Sequence, residues 1–104
     1  MTDSRVRIAL PRQLVVGNRE SFKVQVLSEI DAGQRNFAFD LAECSYLDSA
    51  GLGTLLVLQK RIKALAGTLT LENPNDDVRE LFALTKLDTV FKIVPEKPEK
   101  RRGR

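Results

Sequence analysis

The chain has 104 residues, 42% hydrophobic and 30% charged, a balance that fits one globular domain with a modest core. Its net charge of +3 is small, and it holds one cysteine and no histidine. These counts exclude an internal disulfide, a Ser-His-Asp triad, a His-assisted cysteine nucleophile and the common zinc sites, and no apolar run reaches the roughly 20 residues that span a bilayer.

Met1-Thr2-Asp3-Ser4-Arg5 leads into no apolar signal core, and a lone cysteine suits a reducing compartment, so a cytoplasmic protein is expected. Val6, Ile8 and Leu10 alternate with Arg5, Arg7 and Ala9, which reads as a half-buried strand. Pro11 stops it or places it at an edge. Leu14-Val15-Val16 extends it or leads into a turn at Gly17-Asn18. Asn18 is predicted to cap a helix of about 14 residues. Phe22, Val26, Leu27 and Ile30 share one face of it, and Gly33 closes it as a left-handed cap.

Residues 36–41 are almost continuously apolar, the pattern of a central strand covered on both faces. A second helix over residues 49–65 is predicted to bury Leu52, Leu55, Leu56, Ile62 and Leu65. Gln59, Lys60, Arg61 and Lys63 then face mostly outward, and Gly67 ends the helix. Residues 68–72 alternate as a third strand, and Asn73-Pro74-Asn75 is a turn. Asp76 or Asp77 is predicted to cap a third helix with Val78, Leu81 and Phe82 inward. Residues 85–89 form a loop anchored by Leu87, and residues 90–94 the last strand. The order β-α-β-α-β-α-β argues for an α/β domain over residues 4–94 with a mostly parallel sheet and right-handed crossovers. Residues 95–104 contain only Pro, Glu, Lys, Arg and Gly, and are expected to form a disordered basic tail. That tail lacks aromatics for base stacking, and it reads as a solubilising end rather than a nucleic-acid arm.

The candidate site lies between the second strand and second helix. Asp48 is a good N-cap, so Ser49 falls on the first helical turn. A hydroxyl there points at free backbone N–H groups and the positive end of the helix dipole, where a phosphate is held with little extra help. Gly51 and Gly53 remove side chains on either side of Leu52, so another protein can come close. Asp48, Ser49, Ala50, Gly51 and Gly53 are therefore the candidate partner-binding residues. An isolated Asp-Ser is also what a plain cap looks like. The Gly-x-Gly lacks the following Lys-Ser/Thr of a phosphate-binding loop. Glu43 and Asp48 read as solvated loop charges, and Cys44 as a small apolar residue.

Tyr46-Leu47-Asp48-Ser49-Ala50-Gly51-Leu52-Gly53 resembles the signature of the STAS domain, specifically the bacterial anti-sigma factor antagonists. A basic residue, a glycine and an alternating strand between residues 60 and 71 agree with it. So do Val78-Arg79-Glu80-Leu81-Phe82, Leu87 and Val90-Phe91-Lys92-Ile93. The resemblance is good over residues 36–94 and weaker over residues 6–33, where Arg12-Gln13-Leu14-Val15 replaces a Gly-Glu-Leu-Asp type of sequence. It implies a four- to five-stranded, mostly parallel mixed sheet with helices mainly on one side. It implies phosphorylation at Ser49 by a partner that is both anti-sigma factor and serine kinase, with a phosphatase as the resetting enzyme. ATP belongs to that partner, and no cofactor, metal, membrane or direct nucleic-acid contact is implied for this chain, which would be a monomer or weak homo-oligomer. A second STAS role is that of scaffold or adaptor in a signalling complex or beside a transporter. A serine hydrolase is disfavoured: the chain has no glycine at the elbow spacing before Ser49 and no histidine.

Overall fold

The alternation of period-two and period-3.6 segments closes, in a computed structural model that describes residues 5–94, as a four-stranded parallel sheet and a two-stranded ribbon with three helices. In chain order these are β1 (Val6–Ala9), β2 (Gln13–Leu14), α1 (Arg19–Asp31), β3 (Asn36–Asp40), β4 (Tyr46–Leu47), α2 (Ser49–Ala64), β5 (Thr68–Glu72), α3 (Asp76–Leu84) and β6 (Lys92–Val94). A 3-10 turn, Leu87–Thr89, lies between α3 and β6. The main sheet runs β1-β3-β5-β6 with every pair parallel. Each crossover steps one strand in the same direction. Right-handed crossovers then put all three helices on one face and start them all at the carboxyl end of the sheet.

Register settles which residues that face buries. Ile8, Phe39 and Leu71 align across β1, β3 and β5, and Phe37 lies one pleat away beside Val6 and Leu69. Phe37, Phe39 and Leu71 are fully buried and join Phe22, Val26 and Ile30 of α1, Leu55, Leu58 and Ile62 of α2, and Val78 and Phe82 of α3 in one core. Each such side chain is worth about 1.5–3 kcal/mol. Phe22 meets Phe39 edge-on at 5.3 Å and 79°, a geometry the ring quadrupoles favour. The opposite face exposes Arg7, Ala9, Thr68 and Lys92. Central β3 was expected to be covered on both faces. On the second face, Ala38 is instead buried between Arg7 and Thr70 because a methyl is too short to reach past its neighbours. Glu72, also on that face, is buried and pairs with Arg7 and, at 3.9 Å, with Arg5.

Local expectations change in five places. Asn18 precedes α1 but makes no capping bond; its Oδ1 accepts from Val15 N at 2.9 Å and its Nδ2 donates to the Gln13 carbonyl at 2.8 Å. Its amide therefore closes the turn behind β2. Asn75, not an aspartate, caps α3 by accepting from Val78 N at 2.8 Å, which leaves Asp76 and Asp77 in the first turn facing the helix dipole. The buried arc of α2 is rotated: Leu58 and Gln59 are inside, Leu52 and Leu56 are half-buried, and Leu65 is exposed. This helix is flanked by α1, β5 and the short strands at once, so its covered arc is wider than a single stripe. Gly33 has the expected positive φ of 99°, but after α2 the left-handed residue is Ala66 at 63°. Gly67 is needed for close approach, since a Cβ there would lie 2.0 Å from the Arg35 carbonyl oxygen. The last strand is shorter than residues 90–94, because Val90 ends the 3-10 turn and Phe91 is buried on Phe82, ring centres 5.7 Å apart.

Residues 95–104, expected as a tail, lie outside the described residues. No helix among the described residues is long and apolar enough to cross a membrane.

Candidate functional site

β2 and β4 are two residues long, and neither is legible in the sequence as a strand. They pair in parallel, Gln13 with Tyr46 and Leu14 with Leu47, beyond the carboxyl ends of β1 and β3. Leu14 and Leu47 are buried, which fastens this ribbon to the core. Ser45 N donates to the Arg12 carbonyl at 2.8 Å and Asp48 N to the Leu14 carbonyl at 3.4 Å. The chain therefore enters α2 along a track fixed by β2. That is the structural role of the Arg12–Val15 segment, where the sequence departs from the family pattern.

Asp48 caps α2 as expected, with extended φ −93° and ψ −178°. Its Oδ1 accepts from Gly51 N at 2.8 Å. Its Oδ2 accepts from Val16 N at 3.1 Å, which ties the β4–α2 junction to the loop before α1. The Gly51 N–H is the main reason its carboxyl titrates below the ordinary aspartate range; partial desolvation opposes this, and the Val16 and Ala50 N–H groups reinforce it. The first-turn N–H groups were expected to face the Ser49 hydroxyl. One of them, the Gly51 N–H, is instead engaged by the Asp48 carboxylate, and Ser49, the first residue of α2, is exposed beside it.

The two glycines separate. Gly51 is buried, and a Cβ there would lie 2.0 Å from the Leu14 carbonyl oxygen. Its missing side chain lets α2 sit on the backbone of β2. The reading of Gly51 as a surface a partner approaches is corrected on that ground. Gly53 is half-exposed, and a Cβ there would meet nothing within 4 Å, so the space beside it is open to solvent. Ala50 is half-exposed too. Asp48, Ser49, Ala50 and Gly53 thus share one accessible rim, with Gly51 as its internal support.

Two apolar residues on this rim escape a sequence reading. Val16 is 69% exposed and its N–H is on Asp48, while Tyr46 is 55% exposed two residues before Asp48. These two exposed apolar side chains flank an accessible serine. The signal that could have found Val16 is its polar-turn context at Gly17-Asn18, which places an apolar side chain where the core cannot reach it. Cys44 is fully buried, as its apolar reading expects, and burial pushes its thiol up from the ordinary cysteine value. No group of three or more His, Cys, Asp or Glu side chains among the described residues is placed to hold a metal ion.

BtrV of Bordetella bronchiseptica, for which an anti-sigma factor antagonist role is suggested, is 29% identical over 76 residues, 73% of this chain and 66% of that protein. TM1081 of Thermotoga maritima, for which the same role is suggested, superposes with a TM-score of 0.83 at 28% identity over 96% of this chain and 86% of its own. The phosphorylated form of the Bacillus cell fate determinant SpoIIAA superposes with a TM-score of 0.69 at 25% identity, covering 99% of this chain and 94% of its own. The family profile of the STAS domain matches residues 2–99. With nearly the whole chain matched and a parallel sheet leading into a capped Asp-Ser helix start, this protein belongs to the STAS domain family.

Proposed function

We propose that this chain is an anti-sigma factor antagonist, a switch without catalysis of its own that is set by phosphorylation of Ser49. The observation that carries the reading is the exposed serine on the first turn of α2, directly after a cap whose carboxylate accepts from the Gly51 N–H. The suggested roles of BtrV and TM1081, and the existence of SpoIIAA in a phosphorylated form, support it. Unmodified, the rim of Asp48, Ser49, Ala50 and Gly53, with Val16 and Tyr46, docks on an anti-sigma factor that is also a serine kinase. In the kinase reaction Ser49 Oγ loses its proton and takes the terminal phosphoryl group of ATP, with ADP leaving. The product adds about −1.5 to −2 charges beside Asp48. The helix terminus tolerates that charge and the fold is retained, whereas an interface closed over it is repelled and desolvated at a loss, so the complex separates. A phosphatase returns the serine, and all of this takes place in the cytoplasm.

The test is incubation with the candidate kinase and ATP followed by peptide mass spectrometry, with binding measured for variants. Phosphate is expected on Ser49 alone. Ser49→Ala should bind the kinase as wild type does, and Ser49→Asp should bind at least about tenfold more weakly, about 1.4 kcal/mol. Equal affinity of the two variants, or phosphate placed elsewhere, would overturn the reading.

A further inference from the structure

Beside Ser49 runs a groove between α1 and α2 that the sequence does not announce. Its volume is about 350 Å³, and Arg19, Lys23, Ala50, Gly53, Thr54 and Val57 line it. Arg19 and Lys23 are one turn apart on α1 and form one lip. Neither has an ion-pair partner among the described residues, and no carboxylate lines the groove. The other side is α2. Ala50, Thr54 and Val57 follow the i, i+4, i+7 spacing along it, and Ser49, Gly53 and Val57 follow i, i+4, i+8, so Ser49 stands at the groove's amino-terminal mouth. The floor at Gly53 is open, since a Cβ there would meet nothing within 4 Å. At the far end Val57 is 53% exposed, an apolar side chain that the core leaves out.

We infer that this groove docks an acidic polypeptide segment of the partner, with carboxylates on Arg19 and Lys23 and a small aliphatic side chain against Ala50, Gly53 and Val57. The inference rests on the switch reading above and adds the chemistry of what Ser49 controls. Charge complementarity selects an anion: two cations with no ion-pair partner among the described residues sit on a lip, and no carboxylate is among the residues lining the groove. The floor selects a polypeptide over a nucleic acid, because its lining is small and aliphatic and offers no ring on which a base could stack. A phosphate on Ser49 acts on this docking in two ways that a blocked surface would not. It repels the segment's carboxylates at the mouth, and it competes for Arg19 and Lys23, drawing their charge back onto the chain itself.

The experiment uses the isolated isotope-labelled chain and a defined probe, the capped synthetic peptide Asp-Leu-Glu-Glu-Leu-Asp, in low salt, followed by amide chemical shifts. Saturable shifts are expected at Lys23, Ala50, Gly53 and Val57. Arg19→Glu with Lys23→Glu should weaken the peptide at least about tenfold, and Ser49→Asp about threefold, while Lys60→Glu with Arg61→Glu, exposed elsewhere on α2, should leave it within about twofold. If the reversal variant does not fold, Arg19→Gln with Lys23→Gln serves, with a loss of about fivefold expected. No shift at millimolar peptide, shifts centred elsewhere, insensitivity to the Arg19 and Lys23 changes, or tighter binding of a short oligothymidylate at the same amides would each overturn the inference. None of these outcomes bears on phosphorylation of Ser49, which the kinase assay reads separately.

Discussion

A Cβ on Gly51 would press into the backbone of Leu14, whereas one on Gly53 would enter open space, although the two residues sit in the same turn of α2. Gly51→Ala should therefore destabilise the domain by about 2–3 kcal/mol, because backbone rather than a flexible side chain must move. Gly53→Ala should stabilise it by up to about 1 kcal/mol, since alanine restricts the unfolded chain and favours the helix. Urea unfolding of the two variants reads both signs; equal destabilisation would show that the space beside Gly53 is not open. Asp48 carries a pH signature. Its carboxyl is held below its ordinary range, so the stabilisation is present above the unfolded-state value and is lost as pH falls through the folded-state value. Thermal melts should show wild type and Asp48→Asn separated by a constant amount above about pH 4 and converging as the pH falls further. A difference that persists at low pH would assign the effect to shape rather than charge.

At the scale of elements, α2 is held from both ends. Its start is fixed by Asp48 on Val16 and Gly51 against Leu14, and its later turns by Gln59, whose Nε2 donates to the Val90 carbonyl at 2.9 Å. That bond is the reason a polar residue with an outward reading lies inside: it satisfies a carbonyl released where the 3-10 turn ends. Gln59→Leu keeps the volume and leaves the carbonyl unpaired, at a cost of about 1–3 kcal/mol. Denaturant unfolding would measure it, and hydrogen exchange should place the loosening at residues 87–91. A change below about 0.5 kcal/mol would mean that water replaces the glutamine. Element type was legible because three apolar periodicities, two of them followed by a glycine, are strong, local signals. Element orientation was not: Leu58 and Leu65 have the same hydropathy, and only the position of α1, β5 and the ribbon decides which is covered.

For the whole molecule, one core holds every helix, and Cys44 lies at its edge beneath the site, fully buried with its Sγ donating to the Tyr46 carbonyl at 3.6 Å. A buried thiol whose ionisation is pushed up reacts only when the structure opens. Alkylation of Cys44 should therefore be negligible in the folded protein at neutral pH. It should become faster in Gly51→Ala by a factor matching that variant's loss of stability. Rapid labelling of the wild type would show that the β4–α2 region opens independently of the core. The same arrangement leaves room for a charge at Ser49 without disturbing what lies inside. Ser49 is on the solvent side of its turn, and Leu47, Gly51 and Leu55 are on the buried side.

The amino-acid sequence by itself determined the kinds of element, their order, the capped Asp48-Ser49 helix start and the family resemblance that named Ser49. Each of these depends on neighbours within a turn or on a short contiguous motif, and the physics of caps and periodicity is local. Tertiary structure alone decided the rest. The β2–β4 ribbon is too short to carry a period and exists only because Leu14 and Leu47 are buried together. The same contact assigned Gly51 to packing and left Gly53 to the surface. Arg19 and Lys23 read as ordinary helix charges until the crossover laid α1 along α2 and placed them across a groove from Ala50 and Gly53. These features join residues about 30 positions apart in the chain, and no local propensity encodes such a meeting; it follows from the packing of the sheet and its crossovers.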